Sequence, residues 1–355
     1  MDKRWTLAID FGTTFTSAAV GADGRVDLIE VDGVARLPSA VLWSDDGFAV
    51  GVAADAQRGA QPDRLERTPK RHLGVREHMI LGGTPVSVVD GVAAVLRVVY
   101  EEALRRRDGN APALVCLTHP ARWGEARIGA LADAAAKAGI EDPTFLAEPI
   151  AAALRYADVN IGSGDHVAVY DLGGGTFDTA VLRRTDDGFM LVGPPGGDER
   201  LGGEDFDHRL ADHLRAQIAV ADPEAALLLA TSPERIWRVA ATELLTQARL
   251  AKEALSSQAS YTVYLAAPID RELRVTRPEF EALVRNDLLR TVDELGLAVQ
   301  RAGLQRDELA AIYLTGGSSR IPLVTNLVHE AFAQVPNTWE DPKCVGALGA
   351  IRADA

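Results

Sequence analysis

The sequence predicts an α/β fold of two similar lobes facing a common cleft, and three observations carry that prediction. Two segments, LAIDFGTTFTSAAV from Leu7 and VAVYDLGGGTFDTAVL from Val167, share one pattern: apolar strand, Asp, apolar residue, glycine turn, Thr, Phe, apolar strand. Such self-similarity about 160 residues apart is the mark of an internal duplication. The 355 residues suit two domains of roughly 150 residues each. Short buried strands alternate with amphipathic helices along both halves.

Composition narrows the functional classes. Apolar residues make up 47% and charged residues 25%, a globular balance. The formal net charge of −14 repels phosphate backbones, so nucleic acid is not an expected partner. The two cysteines, Cys116 and Cys344, have no metal-ligand spacing and fit a reducing cytoplasm. The opening MDKRWTLAID lacks a long apolar core, so no signal peptide is expected. No stretch of about 18 apolar residues appears, so no membrane insertion is expected.

In the first half, Trp5 to Ile9 reads as a buried strand, Asp10 to Thr14 as a turn, and Phe15 to Val20 and Arg25 to Val31 as the next strands of an antiparallel meander. Residues 38–86 read as irregular, with short strands and the basic run Lys70-Arg71-His72. Asp90 is a candidate N-cap for a helix bearing Val92, Val95, Leu96 and Val99 on one face. A strand over Ala113 to Leu117, a helix over Glu125 to Ala138 closed by Gly139, a strand at Phe145-Leu146 and a helix over Ile150 to Tyr156 follow. Gly162-Ser163-Gly164 marks the crossing between halves, which places the lobes at 1–162 and 163–355, with smaller subdomains at about 38–86 and about 204–295.

The second half repeats the opening with strands over His166 to Tyr170 and Phe177 to Leu182. Residues 204–255 read as mostly helical, then strands over Tyr261 to Leu265 and Glu272 to Val275, a helix opened by Arg277-Pro278-Glu279, a strand over Ala311 to Leu314 and a helix from Pro322.

The two turns carry the chemistry. Glycines bring backbone N–H groups close to phosphate oxygens, and threonines add hydroxyls. Gly12, Thr13 and Thr14 offer both in one half, and Gly173, Gly174, Gly175 and Thr176 in the other. Asp10 and Asp171, each ending the preceding strand, supply two carboxylates suited to a water-bound magnesium ion. Either turn alone reads as an ordinary hairpin; the matched pair points to phosphate. There is no G-x-x-x-x-G-K-[ST] and no G-x-G-x-x-G between a strand and a helix, which excludes P-loop and dinucleotide folds. Gly316-Gly317-Ser318-Ser319-Arg320 ends a strand where glycines would admit a flat ring and Arg320 would stack on a purine.

The segments IDFGTTFTSAAV, TPKRHLG, LAEPIAAALRYA, YDLGGGTFDTAVL, RLGGEDFDHRL, AKEALSS and LTGGSSRIPLV together resemble the nucleotide-binding domain of the seventy-kilodalton heat-shock chaperones (DnaK type), within the actin-like ATPase superfamily. The resemblance runs through almost the whole chain. It implies a duplicated ribonuclease-H-like fold, each lobe with a smaller subdomain, that binds Mg-ATP between the lobes and hydrolyses it slowly.

The resemblance also implies roles. Asp10 and Asp171 would hold magnesium and its waters, with potassium as an accompanying ion. Gly12, Thr13, Thr14, Phe15 (through its backbone), Gly173, Gly174, Gly175 and Gly203 would contact the phosphates, with Thr176 near the γ-phosphate. Lys70 would stabilise the terminal phosphate and orient the attacking water, and Glu148 and Asp178 would position or deprotonate it. Lys252 and Ser256 would face the ribose and adenine, Gly316, Gly317, Ser318 and Arg320 would frame the nucleoside, and Asp341 would lie near the ribose. By residue type alone, Lys70 is part of a solvated basic run, Glu148 is a helix-start carboxylate, and His72 and His119 are structural.

Two departures from the family pattern bear on affinity. Arg249 stands where the family usually has an acid touching ribose, and Glu253 where a basic or apolar residue is common. The PARWGEAR segment is about one residue short of the family norm; Pro120 matches there, while Arg127 is a less certain match. The resemblance implies as partners a nucleotide-exchange factor, a J-domain co-chaperone and a C-terminal client-binding domain outside this chain, with the chain itself a cytoplasmic monomer. The rival readings are a sugar-kinase-like phosphotransferase, an actin-like filament protein and a nucleotide sensor with little hydrolysis.

Overall fold

The computed structural model describes residues 4–156, 161–338 and 345–351. Asp341 and Cys344 lie outside the described residues.

The predicted duplication is borne out as two sheets of matching topology. In the first, the order is Thr144–Ala147, Leu114–His119, Trp5–Phe11, Phe15–Ala22, Arg25–Ile29. In the second it is Asn337–Thr338, Leu309–Thr315, His166–Leu172, Phe177–Thr185, Gly188–Asp198. Each sheet centres on a strand paired antiparallel to the next in sequence and parallel to one arriving much later. The registers correspond: Asp10 faces Ser17 and Phe11 faces Thr16, as Asp171 faces Asp178 and Leu172 faces Phe177.

The two-residue period of a strand sends alternate side chains to opposite faces. Leu7, Ile9 and Phe11 are fully buried in one core with Val92, Val95, Leu96 and Val99 of the helix Val88–Arg105. Ala8 points the other way, and with Ala19 and Cys116 it presents a small-residue surface to Ala347, Ala350 and Ile351. The second sheet alternates likewise. Ala168, Tyr170 and Leu172 enter a core with Phe206 and Val284, while Val167 and Val169 meet Ala152, Ala153 and Tyr156 of the helix Glu148–Tyr156.

Two helices therefore cross between the sheets. Glu148–Tyr156 follows the last strand of the first sheet but packs on the second, where the Tyr156 hydroxyl donates to the Leu314 carbonyl at 2.7 Å and its ring stacks on Tyr313. Val345–Ala350 follows the second sheet but packs on the first. The two helices touch, and a Cβ at Gly349 would collide with the Ala151 carbonyl.

One expectation needs correction, and one strand is not expected from the sequence. Ser87, not Asp90, caps the helix Val88–Arg105: its hydroxyl accepts from the Asp90 N–H at 3.2 Å, placing Asp90 in the first turn. The long strand Gly188–Asp198 has no strand-like signature, because Gly193, Pro194, Pro195, Gly196 and Gly197 break the pattern. Its pairing with Phe177–Thr185 shifts register beside those residues. The predicted helix opening at Arg277 is confirmed, with Thr276 and Glu279 forming a reciprocal capping box. No helix among the described residues is long and apolar enough to cross a membrane.

Candidate functional site

The folded duplication brings the two glycine turns face to face. A Cβ at Gly174 would collide with the Thr14 hydroxyl, and one at Gly175 would lie 2.6 Å from the Thr13 methyl carbon. Glycine is required because any side chain would push the turns apart. Each turn is braced from behind. In the first, buried Ser39 donates to the Gly12 carbonyl at 2.8 Å, and its own N–H reaches the Thr14 carbonyl at 2.9 Å. In the second, the Gly173 carbonyl accepts from the Gly203 N–H at 3.0 Å and from the Ser318 hydroxyl at 2.9 Å. The start of the helix Gly203–Ala221 is thereby tied to the second turn.

A cavity of about 350 Å³ opens along this junction. Of the residues singled out by sequence, it is lined by Asp10, Gly12, Thr13, Thr14, Phe15, Lys70, Glu148, Asp171, Gly173, Gly174, Thr176, Lys252, Ser256, Gly316, Gly317, Ser318 and Arg320. Three described residues sit off its wall. Gly175 accepts a hydrogen bond from the Arg71 guanidinium, and Gly203 accepts one from Lys252 Nζ at 2.8 Å. Asp178 pairs with Arg122 at 2.9 Å and lines a much smaller space behind Glu148 and Asp171.

Burial sets the electrostatics. Asp10 is raised above the usual carboxylate range by desolvation, opposed by the Lys70 charge and by the Thr118 hydroxyl, which donates to it at 2.6 Å. Asp171 is raised well above its ordinary value by desolvation and by repulsion from Glu148, Asp178 and Asp10. Desolvation also lifts Glu148 to about 7, against the attraction of Lys70 and with the repulsion of Asp10 and Asp178. Lys70, only 4% exposed, donates to Glu148 at 2.7 Å and sits 5.7 Å from the centre of the Phe11 ring and 5.4 Å from that of Trp123. The basic-run reading of Lys70 as a solvated residue is overturned by this burial. The site thus crowds Asp10, Glu148, Asp171 and Asp178 around the Lys70 ammonium, an arrangement that a further cation would stabilise.

The donor set fits a magnesium ion of the expected kind. Among the described residues no group of three or more His, Cys, Asp or Glu could hold a metal alone. Two carboxylates lining a phosphate-sized cleft match an ion that keeps its waters and shares phosphate oxygens. Among the described residues the buried Thr14 hydroxyl has no hydrogen-bond partner, as expected of a donor that serves a ligand.

Sequence reasoning missed several lining residues: Arg36, Glu204, Asp207 and Gly346. Asp207 pairs with Lys252 at 2.7 Å, so this lysine is held by an acid on the neighbouring helix. Gly346 comes so close to Asp10 that a Cβ would overlap its carboxylate. His119 is held down in pKa by burial, with its ring nitrogen 2.9 Å from the Pro120 carbonyl, and His72 pairs with Glu66 at 3.0 Å, both structural arrangements.

Comparison with known proteins identifies relatives of the chain. Residues 84–354 match the model of the family described as Hsp70 protein. A chaperone protein HscA homolog of Acidithiobacillus ferrooxidans is 35% identical over 99% of this chain. Chaperone protein HscA of Serratia proteamaculans is 34% identical over 99% of it, and the HscA homolog of Shewanella denitrificans 32% over the same share. The chain spans 58% of the length of each of these relatives.

Proposed function

The chain belongs to the Hsp70 family, and on that premise we propose that it binds Mg-ATP in the cleft between its sheets and hydrolyses it slowly to ADP and phosphate, as the nucleotide-switch part of a chaperone. Hsp70 chaperones are ATPases. The observation that most supports the same activity in this chain is the contact between Thr13–Thr14 and Gly174–Gly175 beside two buried carboxylates and a buried lysine.

Phosphoryl transfer to water depends on positioning and charge neutralisation more than on covalent chemistry from the protein. The N–H groups of the two turns cradle the β- and γ-phosphates, and Thr13, Thr14 and Thr176 add hydroxyls. Lys70, locked between Glu148 and two aromatic rings, places its ammonium at the terminal phosphate. Glu148, near 7, suits acceptance of a proton from the attacking water at neutral pH. Water oxygen bonds to the γ-phosphorus as the bond to the bridging oxygen breaks, leaving ADP and inorganic phosphate. Magnesium, held through water by Asp10 and Asp171, would neutralise charge on the phosphate oxygens. Arg122 fixes Asp178 beside Glu148, which makes Asp178 an orienting residue.

The lobes of this proposal are 1–162 and 163–355, with smaller subdomains over about 38–86 and 204–295. Four links from the first half to the second close the cleft: Arg67 to Glu204 at 3.4 Å, Arg71 to the Gly175 carbonyl, Arg122 to Asp178 at 2.9 Å and Arg127 to Glu199 at 2.7 Å. Loss and recovery of such links is the conformational output that an exchange factor, a J-domain co-chaperone and a client-binding domain would use. The test is steady-state phosphate release from Mg-ATP by the purified chain. Slow, magnesium-dependent turnover is expected, and tight binding without release of phosphate would leave a nucleotide sensor instead.

A further inference from the structure

Arg67, Arg71, Arg122 and Arg127 each end on an acceptor of the opposite half. Two further arginines of the cleft do not follow that rule. Arg36, just before the strand Leu37–Pro38, places its guanidinium carbon 5.6 Å from the centre of the Phe15 ring. Arg249, on the helix Arg235–Leu255 of the second half, places its own 5.1 Å from the same ring. All three side chains line the cavity. Among the described residues Arg36 has no carboxylate partner, and Arg249 forms only a long ion pair with Glu253, at 3.7 Å, with Asp207 also within its field. Two like charges thus converge on one aromatic ring, and neither makes a short, bidentate pair with a carboxylate among the described residues.

Their place along the cavity assigns them a target. Arg249, Lys252, Glu253 and Ser256 recur at i, i+3, i+4 and i+7, so one face of the helix lines the cavity. With a rise of about 1.5 Å per residue, that stripe runs for roughly 10 Å. Arg249 is at its Phe15 end, next to the Thr13–Thr14 turn, and Ser256 is at the far end. A nucleotide with its 5′-phosphates on the turns and its base toward Ser256 and Arg320 lays its sugar alongside Arg249. Neutral sugar hydroxyls make poor partners for two guanidinium groups, whereas a phosphate accepts from them in charge-assisted, bidentate fashion.

We propose that Arg36 and Arg249 form a second anion position in the cleft, which receives a phosphate carried on the sugar of the bound nucleotide at its 2′ or 3′ oxygen. The proposal rests on the nucleotide reading given above and adds the substrate class: sugar-phosphorylated nucleotides in preference to the unmodified ones. Phe15 supports both guanidinium groups through its ring face and holds them on either side of the opening between the halves.

Calorimetric titration with ADP, 2′-phospho-ADP and 3′-phospho-ADP, each with magnesium, tests this directly. One phosphorylated form is expected to bind at least about tenfold more tightly than ADP, a difference of about 1.4 kcal/mol, and which form does so identifies the oxygen. In the double variant Arg36→Gln/Arg249→Gln that ratio falls to near one. The single variant Arg249→Gln and a thermal melt of each protein separate loss of the site from loss of the fold. Equal binding of all three nucleotides, or a preference that survives in the double variant, overturns the anion position while leaving the nucleotide reading intact. Failure of ADP itself to bind overturns both.

Discussion

Replacing Lys70 by alanine or methionine leaves Mg-ATP bound but lowers phosphate release by about 10²–10³-fold, the usual consequence of removing one preorganised donor from a developing oxyanion. The expected size follows from how completely this lysine is placed. Its ammonium is buried, bonded to Glu148 and flanked by Phe11 and Trp123, so no water or neighbouring cation can take over its position. Methionine retains the packing of the alkyl chain and isolates the charge. Single-turnover hydrolysis of pre-bound ATP is the measurement, because it separates chemistry from binding. Unchanged hydrolysis in both variants would remove Lys70 from the mechanism.

Asp171→Asn is expected to divide stability from function. In the ligand-free protein Asp171 is buried and repelled by Glu148, Asp178 and Asp10, and the attraction of Lys70 offsets this only in part. An amide of the same shape carries no charge to desolvate or repel, and the free protein gains stability on the order of 1 kcal/mol. The variant loses the further stabilisation that Mg-ATP confers on the parent. Paired thermal melts with and without Mg-ATP read both effects; a less stable free variant, or an undiminished shift with Mg-ATP, would contradict the assignment.

The same cluster makes the free protein sensitive to pH. Glu148 is raised from 4.5 to about 7 in the fold, so between these values the folded chain holds a proton that the unfolded chain has lost. Stability therefore falls as pH rises through that window. Denaturant midpoints between pH 5 and 8 should show this slope, and Glu148→Gln should flatten it.

Much of this site was legible in the chain because its largest parts are local. Asp10 with Thr13–Thr14, and Asp171 with Gly173–Thr176, each lie within one hairpin, and duplication states that the two belong together. Lys70 and Glu148 needed the family resemblance, since a lysine in a basic run or a glutamate before proline carries no distinctive spacing. What stayed hidden depends on contacts between distant segments. Thr118, which tunes Asp10, is 108 residues away from it. Ser39 braces the first turn across 27 residues. Arg122 reaches Asp178 across 56, a pairing that no local spacing announces. Gly346 approaches Asp10 only because the last described helix returns to the first sheet. The strand Gly188–Asp198 was hidden differently: its glycines and prolines oppose strand propensity, and the adjacent sheet edge overrides them.

The central claim is that both turns hold one triphosphate, so neither suffices alone. Calorimetric titration of Mg-ATP into the parent, Gly12→Val and Gly174→Val tests it most directly, with circular dichroism as the control for folding. A Cβ at Gly12 would strike the Phe15 carbonyl, and one at Gly174 the Thr14 hydroxyl, so each variant distorts one turn. One ATP per chain is predicted for the parent, with affinity reduced at least about 100-fold, roughly 2.7 kcal/mol, in either variant. Two independent sites in the parent, or parental affinity in a folded variant of either turn, would contradict it.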